Sequence, residues 1–250
     1  MDKILGEIQN EYAEIQKARL LMVQSDFARA SEIYADILSS MSAVEKEDSL
    51  KMSAVYLEYA KCLLLSNDKL VINPELEEDN DYLEDLGIAW ELLEIAKSVF
   101  KKHNFQNELI SVHLLLSDIS QESNNFQDAL EDLLEAFELI KKQDKSSDKL
   151  PDIALRIAFT YEALENKEKA VEMLESIIEM LTSSVQTKDT AEIIEEVRAK
   201  INEIKNPEKY KLSMKQEVQH TKIDLNQPVQ KIKITKAAKP EEDLQTKREE

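Results

Sequence analysis

Two glycines among 250 residues, against a usual share of about 7%, exclude most turn-rich β architectures and any glycine loop for a phosphate, while 33% charged residues suit an all-α chain. The formal net charge of −19 is uneven: residues 207–250 hold 10 Lys/Arg against 8 Asp/Glu, leaving 22 against 43 in residues 1–206, a field that repels nucleic acid and favours basic partners. The single cysteine, Cys62, forms no intrachain disulfide, and no run approaches the roughly 20 apolar residues of a membrane span, so a soluble intracellular protein is expected, with no direct nucleic-acid or membrane contact.

In chain order, a first helix around Ala18 precedes FARASEIYADIL (27–38), and SMSAVEKEDS (40–49) connects this pair to SAVYLEYAKCLLLSN (53–67) around Ala60. There follows NPELEEDNDYLED, with seven acids and no base between Glu75 and Asp85, and then LGIAWELLEIAK (86–97) with the only tryptophan, Trp90. LLLSDISQESNNF (114–126) holds Ser117 and leads into FQDALEDLLEAF (126–137). After the connection KKQDKSSDKLP (141–151), the helix PDIALRIAFTYEAL (151–164) contains Ala158; Pro151 suits a first helical turn, where its missing amide hydrogen costs nothing. KEKAVEMLESII (167–178) completes the fourth pair. TKDTAEIIEEVRAKINEIKN (187–206) is then expected to cap the apolar end of the stack, with Ile193, Ile194, Val197, Ile201 and Ile204 on one side. Beyond Pro207 the periodicity fades, so 207–250 reads as a disordered polar and basic tail whose lysines, in KIKITKAAKP (231–240), fall short of a dense import cluster.

The pairs repeat. In each second helix an alanine (Ala30, Ala89, Ala129, Ala170) is followed four residues later by a large residue (Tyr34, Leu93, Leu133, Leu174) and three further on by Ile37, Ala96, Ala136 or Ile177, all on one helix face. From the small residue of the first helix (Ala18, Ala60, Ser117, Ala158) to that alanine the separations are 12, 29, 12 and 12. One helical hairpin is therefore made four times, the second with 17 extra residues, rich in Asp and Glu, inserted at about 69–85. The pattern resembles the tetratricopeptide repeat, without its first-helix tryptophan and with Ala or Ser in place of its usual glycine.

Four such units, the second split by acids and resumed by Leu86, Ala89, Trp90, Glu91, Leu93, Glu94, Ala96 and Lys97, resemble the NASP-like interrupted tetratricopeptide-repeat (SHNi-TPR) histone chaperones over roughly residues 10–206. The resemblance implies a superhelical stack with a capping helix, binding of histone H3 alone or with H4, delivery to chromatin-assembly factors in the nucleus from a cytoplasmic pool, and no enzymatic activity; self-association as a homodimer stays open. It also implies a groove lined by first helices, with Asp118, Glu122 and Asp152 as acids facing the histone, and Leu155, Phe159 and Glu162 beside them. The insert acids Glu75, Glu77, Glu78, Asp79 and Asp81 are expected to attract basic partners electrostatically.

A general adaptor or a scaffold of purely structural helices is the alternative; nothing in the sequence excludes the scaffold, while the co-chaperone adaptor and an enzyme fare worse on the residues. Ile15, Arg19, Glu58, Ser111 and Leu115 stand where an adaptor for acidic C-terminal peptides would need a Lys/Asn/Arg clamp, and one arginine does not make a clamp. His103, His113 and His220 show neither HExxH spacing nor a Cys/His cluster, so no metal, cofactor or ATP is implied. His113 is expected in or near the core, as are Trp90 and the gap-filling Met22, Met41, Met52, Met173 and Met180.

Overall fold

The helical hairpins turn without glycine. In the computed structural model, which describes residues 2–66, 80–183 and 188–208, Ser25, Asn104, Asn124 and Glu165 take φ of 56–59° just past a helix end. At each of these turns the next amide donates back five residues: Asp26 to Leu21 at 2.9 Å, Phe105 to Phe100 at 3.0 Å, Asn125 to Ser120 at 2.7 Å, and Asn166 to Tyr161 at 2.8 Å. This left-handed helix cap usually falls to glycine. Here both glycines lie inside helices, and Ser, Asn and Glu make the turns instead.

The described residues form ten helices and no strand. α2 (Glu14–Val23) pairs with α3 (Phe27–Met41), α4 (Leu50–Ser66) with α5 (Asn80–His103), α6 (Gln106–Glu122) with α7 (Phe126–Gln143), and α8 (Lys149–Ala163) with α9 (Lys167–Ser183). Each pair also packs on the next, α3 on α4, α5 on α6 and α7 on α8. α10 (Lys188–Lys205) packs on α9, and α1 (Asp2–Glu11), which the sequence pattern did not reveal, packs on α4 and α2. Pro151 falls in the first turn of α8, as its chemistry requires. No helix among the described residues is long and apolar enough to cross a membrane.

The repeat residues make the core. Ala18, Ala60, Ser117 and Ala158 are 0–1% exposed, and so are the four second-helix alanines and the large residues Tyr34, Leu93, Leu133 and Leu174. Small residues bring the two helix backbones together, and each large side chain buried against them is worth about 1.5 to 3 kcal/mol. Two apolar clusters result, one running from Ile8 to Ile119 through α1–α6 and the other from Ile110 to Ile204 through α6–α10. Cys62 lies fully inside the first, where burial and the nearby Glu58 push its thiol up to about 12.

Three expectations change. Trp90 is 48% exposed, because Ala89 and Leu93 take the buried face of α5 and leave the tryptophan turned aside. Ile193 is 44% exposed; Ile194, Val197, Ile201 and Ile204, at spacings of three and four, fill the buried side of α10 without it. Helix α5 starts at Asn80, so the last residues of the acidic stretch are helical rather than loop. The chain divides into Met1–Pro207 and Glu208–Glu250; the expectations of a disordered tail and of Glu75, Glu77, Glu78 and Asp79 as a charged lure lie outside the described residues.

Candidate functional site

Polar rungs tie α2 to α4, α6 to α8 and α8 to α10. Arg19 Nε donates to Glu58 Oε2 at 3.4 Å between α2 and α4, and the Tyr34 hydroxyl donates to the same oxygen at 2.9 Å. Between α6 and α8, Arg156 Nη2 donates to Ser117 Oγ at 2.8 Å and to Asp118 Oδ1, and Gln121 reaches Thr160 at 3.3 Å. Between α8 and α10, Lys200 Nζ meets Glu162 at 3.1 Å and stands 5.8 Å above the Phe159 ring. The register is common: the residue just after the small residue (Arg19, Asp118, Phe159) faces the following helix, with Glu58 and Arg156 both two places before theirs.

This arrangement engages most of the acids assigned to the groove. Asp118 holds Arg156 yet keeps 47% of its side chain exposed. Burial pushes its carboxyl above the ordinary aspartate range, Arg156 opposes that shift, and Glu122 one turn later adds to it. Glu122 is exposed and accepts from the Tyr82 hydroxyl at 3.1 Å, a contact that, with burial, pushes the phenol up to about 12. Tyr82 sits in the first turn of α5, so the end of the acidic stretch is fixed beside Glu122. Asp152 is exposed, Leu155 packs partly on the second cluster, Phe159 is 47% exposed, and Glu162 is half-buried against Lys200. Asp81 belongs to α5.

Two of the positions where an adaptor would need its clamp are taken up by packing, and His113 is in the core as expected. Ile15 is fully buried, and Leu115 packs partly on the first cluster. His113 lies in the core at 8% exposure, its Nδ1 2.7 Å from Asp132 Oδ1 of α7. A cavity of about 700 Å³ nearby, lined from α5, α6 and α7, mixes Lys97 and Lys101 with Glu131 and Asp132. Among the described residues no group of three or more His, Cys, Asp and Glu is arranged to hold a metal. The rungs were the missed feature, since their partners stand 38–40 residues apart and show as pairs only once the helices are stacked.

Residues 111–142, which include Asp118 and Glu122, match the SHNi-TPR family. The chain is 26% identical over 132 residues to nuclear autoantigenic sperm protein (NASP) of Homo sapiens, covering 48% of this chain and 17% of that protein. Residues 111–142 are thus similar to the SHNi-TPR repeat, and about half of the chain is similar to NASP. Protein HGV2 of Halocynthia roretzi is 29% identical over 129 residues, 44% of this chain and 24% of its own. The chain thus aligns with less than a quarter of the length of these relatives.

Solved structures share its fold. Yeast Hif1, described as a histone chaperone and scaffold protein recruiting protein complexes to core histones, superposes with a TM-score of 0.56 at 17% identity, over 82% of this chain and 97% of that one. A kinesin light chain of Podosopora anserina with nearly identical TPR-like repeats gives 0.64 at 14%, over 85% and 95%. At these identities the likeness is one of architecture alone.

Proposed function

We propose that the protein is a histone chaperone that holds histone H3, alone or with H4, against the inner face of α6 and α8 and escorts it to nucleosome assembly. The observation that carries the reading is the position of Asp118 and Glu122 within the matched repeat, with the half-exposed Phe159 on the neighbouring first helix. Relatives named as nuclear support nuclear residence, and a cytoplasmic pool is part of the same proposal.

Carboxylates at fixed places offer an arginine charge-assisted, bidentate hydrogen bonds. Each exposed pair contributes only about 0.2 to 1 kcal/mol, so several must act together with apolar anchors. Asp118, Glu122 and Asp152 supply charge, and Leu155 and Phe159 supply apolar surface. Phe159 and Glu162 already hold an ammonium, that of Lys200, and a partner's lysine or arginine exchanges with it. The insert acids Glu75, Glu77, Glu78, Asp79 and Asp81 raise encounter rates with a basic partner. No ATP is consumed; release is by competition for the histone.

Charge reversal tests the site. Asp118→Lys with Glu122→Lys is expected to weaken H3–H4 binding by at least about tenfold, since several attractions become repulsions. Circular dichroism should show unchanged helix, both residues being surface ones. Undiminished binding moves the site elsewhere.

A further inference from the structure

The inner face of α4 already carries a helix. Ile8 of α1 is fully buried, and Ile4 and Leu5 pack on the same cluster. Leu5 lines a cavity of about 200 Å³ together with Ala54, Leu57 and Lys61 of α4 and Ser111 of α6. These α4 residues stand six and three places before and one place after Ala60, and Ser111 stands six before Ser117. Asp152, Leu155 and Phe159 stand likewise around Ala158. Thus α1 rests on the second-unit counterpart of the surface assigned above to histone binding.

Its local physics make α1 easy to lift. It has ten residues, fewer than the roughly 12 to 15 an isolated helix needs. Gly6 at its middle weakens it further, and the chain breaks helix before Glu14. Its polar anchor, Glu11 to Lys51 at 2.8 Å, is exposed to solvent, and the cavity under Leu5 leaves the seat incompletely filled. On balance α1 is acidic, with Asp2, Glu7 and Glu11 against Lys3, and the surface it rests on holds Glu58 and Glu108 beside Lys61 and the Lys51 that pairs with Glu11.

We propose that α1 is an internal occupant of a helix-binding seat on α4 and α6, and that a basic amphipathic helix of the histone partner displaces it. A partner helix with the same apolar spacing fills the seat and brings a net positive charge where α1 is net negative. The proposal rests on the histone reading for its partner, while the seat and its occupant stand on geometry. While α1 is seated, apparent affinity is reduced by the fraction of molecules in which the seat is open.

Two substitutions move that fraction in opposite directions. A Cβ added at Gly6 meets nothing within 4 Å, so Gly6→Ala strengthens α1 without disturbing its seat. It should weaken H3–H4 binding by about two- to fivefold. Leu5→Asp should unseat α1 and strengthen binding. Hydrogen exchange reads the helix itself: in the full chain residues 2–11 should exchange more slowly in Gly6→Ala, and faster in Leu5→Asp or when H3–H4 is bound, while α4 gains protection. Binding that leaves 2–11 as protected as before, or an affinity indifferent to both substitutions, overturns the displacement and spares the histone reading. Failure of the parent and both variants to bind H3–H4 overturns both.

Discussion

Burial disfavours the charge on Asp118, and Arg156 only partly offsets that cost. A carboxyl whose folded pKa is raised binds its proton more tightly folded than unfolded; its contribution to stability is complete below the ordinary aspartate value and is lost as pH rises through the folded one. Above the folded value the charged Asp118 therefore costs the fold stability, as carboxylates at binding sites and in structural ion pairs both can. Asp118→Asn should raise the thermal midpoint at pH 7, by no more than about 2 to 4 °C, because nearly half of the side chain is exposed. The gain should vanish as pH falls below the aspartate range. A lower midpoint at pH 7 would mean that the Arg156 pair is chiefly structural.

Among the elements, the left-handed caps are where local preference and fold disagree. Asn tolerates this conformation at 104 and 124, but Glu165 meets its own Cβ there at about 1 to 2 kcal/mol. Glu165→Gly removes that strain and gives back some of it as chain entropy, so a gain of about 0.5 to 1 kcal/mol in urea denaturation is expected. No gain would place the strain elsewhere. The hairpins themselves were legible because small and large residues recur at helical spacing, and these positions are buried with little variation. Helix α1 was not: ten residues with three apolar side chains and a glycine give too short a period to stand out. Trp90 misled because its neighbours are core and its type suggests burial, whereas one helical step of about 100° separates it from Ala89. The spacing of Asp118 and Glu122 showed only that they share a helix face, and the family resemblance supplied their proposed role; Arg156 and Tyr82 could not be assigned as their partners, since those pairs form across separate helices.

For the whole molecule, charge and architecture act together. An excess of acids over residues 1–206 draws basic proteins from a distance, and that attraction fades with salt because screening acts within about 10 Å at 0.1 M. A seat shaped by α4, α6 and α8 discriminates among basic proteins only through contacts that survive screening. The deciding measurement is binding of the purified full chain to the H3–H4 pair and to the other core-histone pair, from about 0.15 to 0.5 M salt. The account predicts that H3–H4 is retained at salt concentrations that release the other pair, and that Asp118→Lys with Glu122→Lys abolishes the difference. Equal, salt-labile binding to both pairs would reduce the interaction to generic acidity and contradict it.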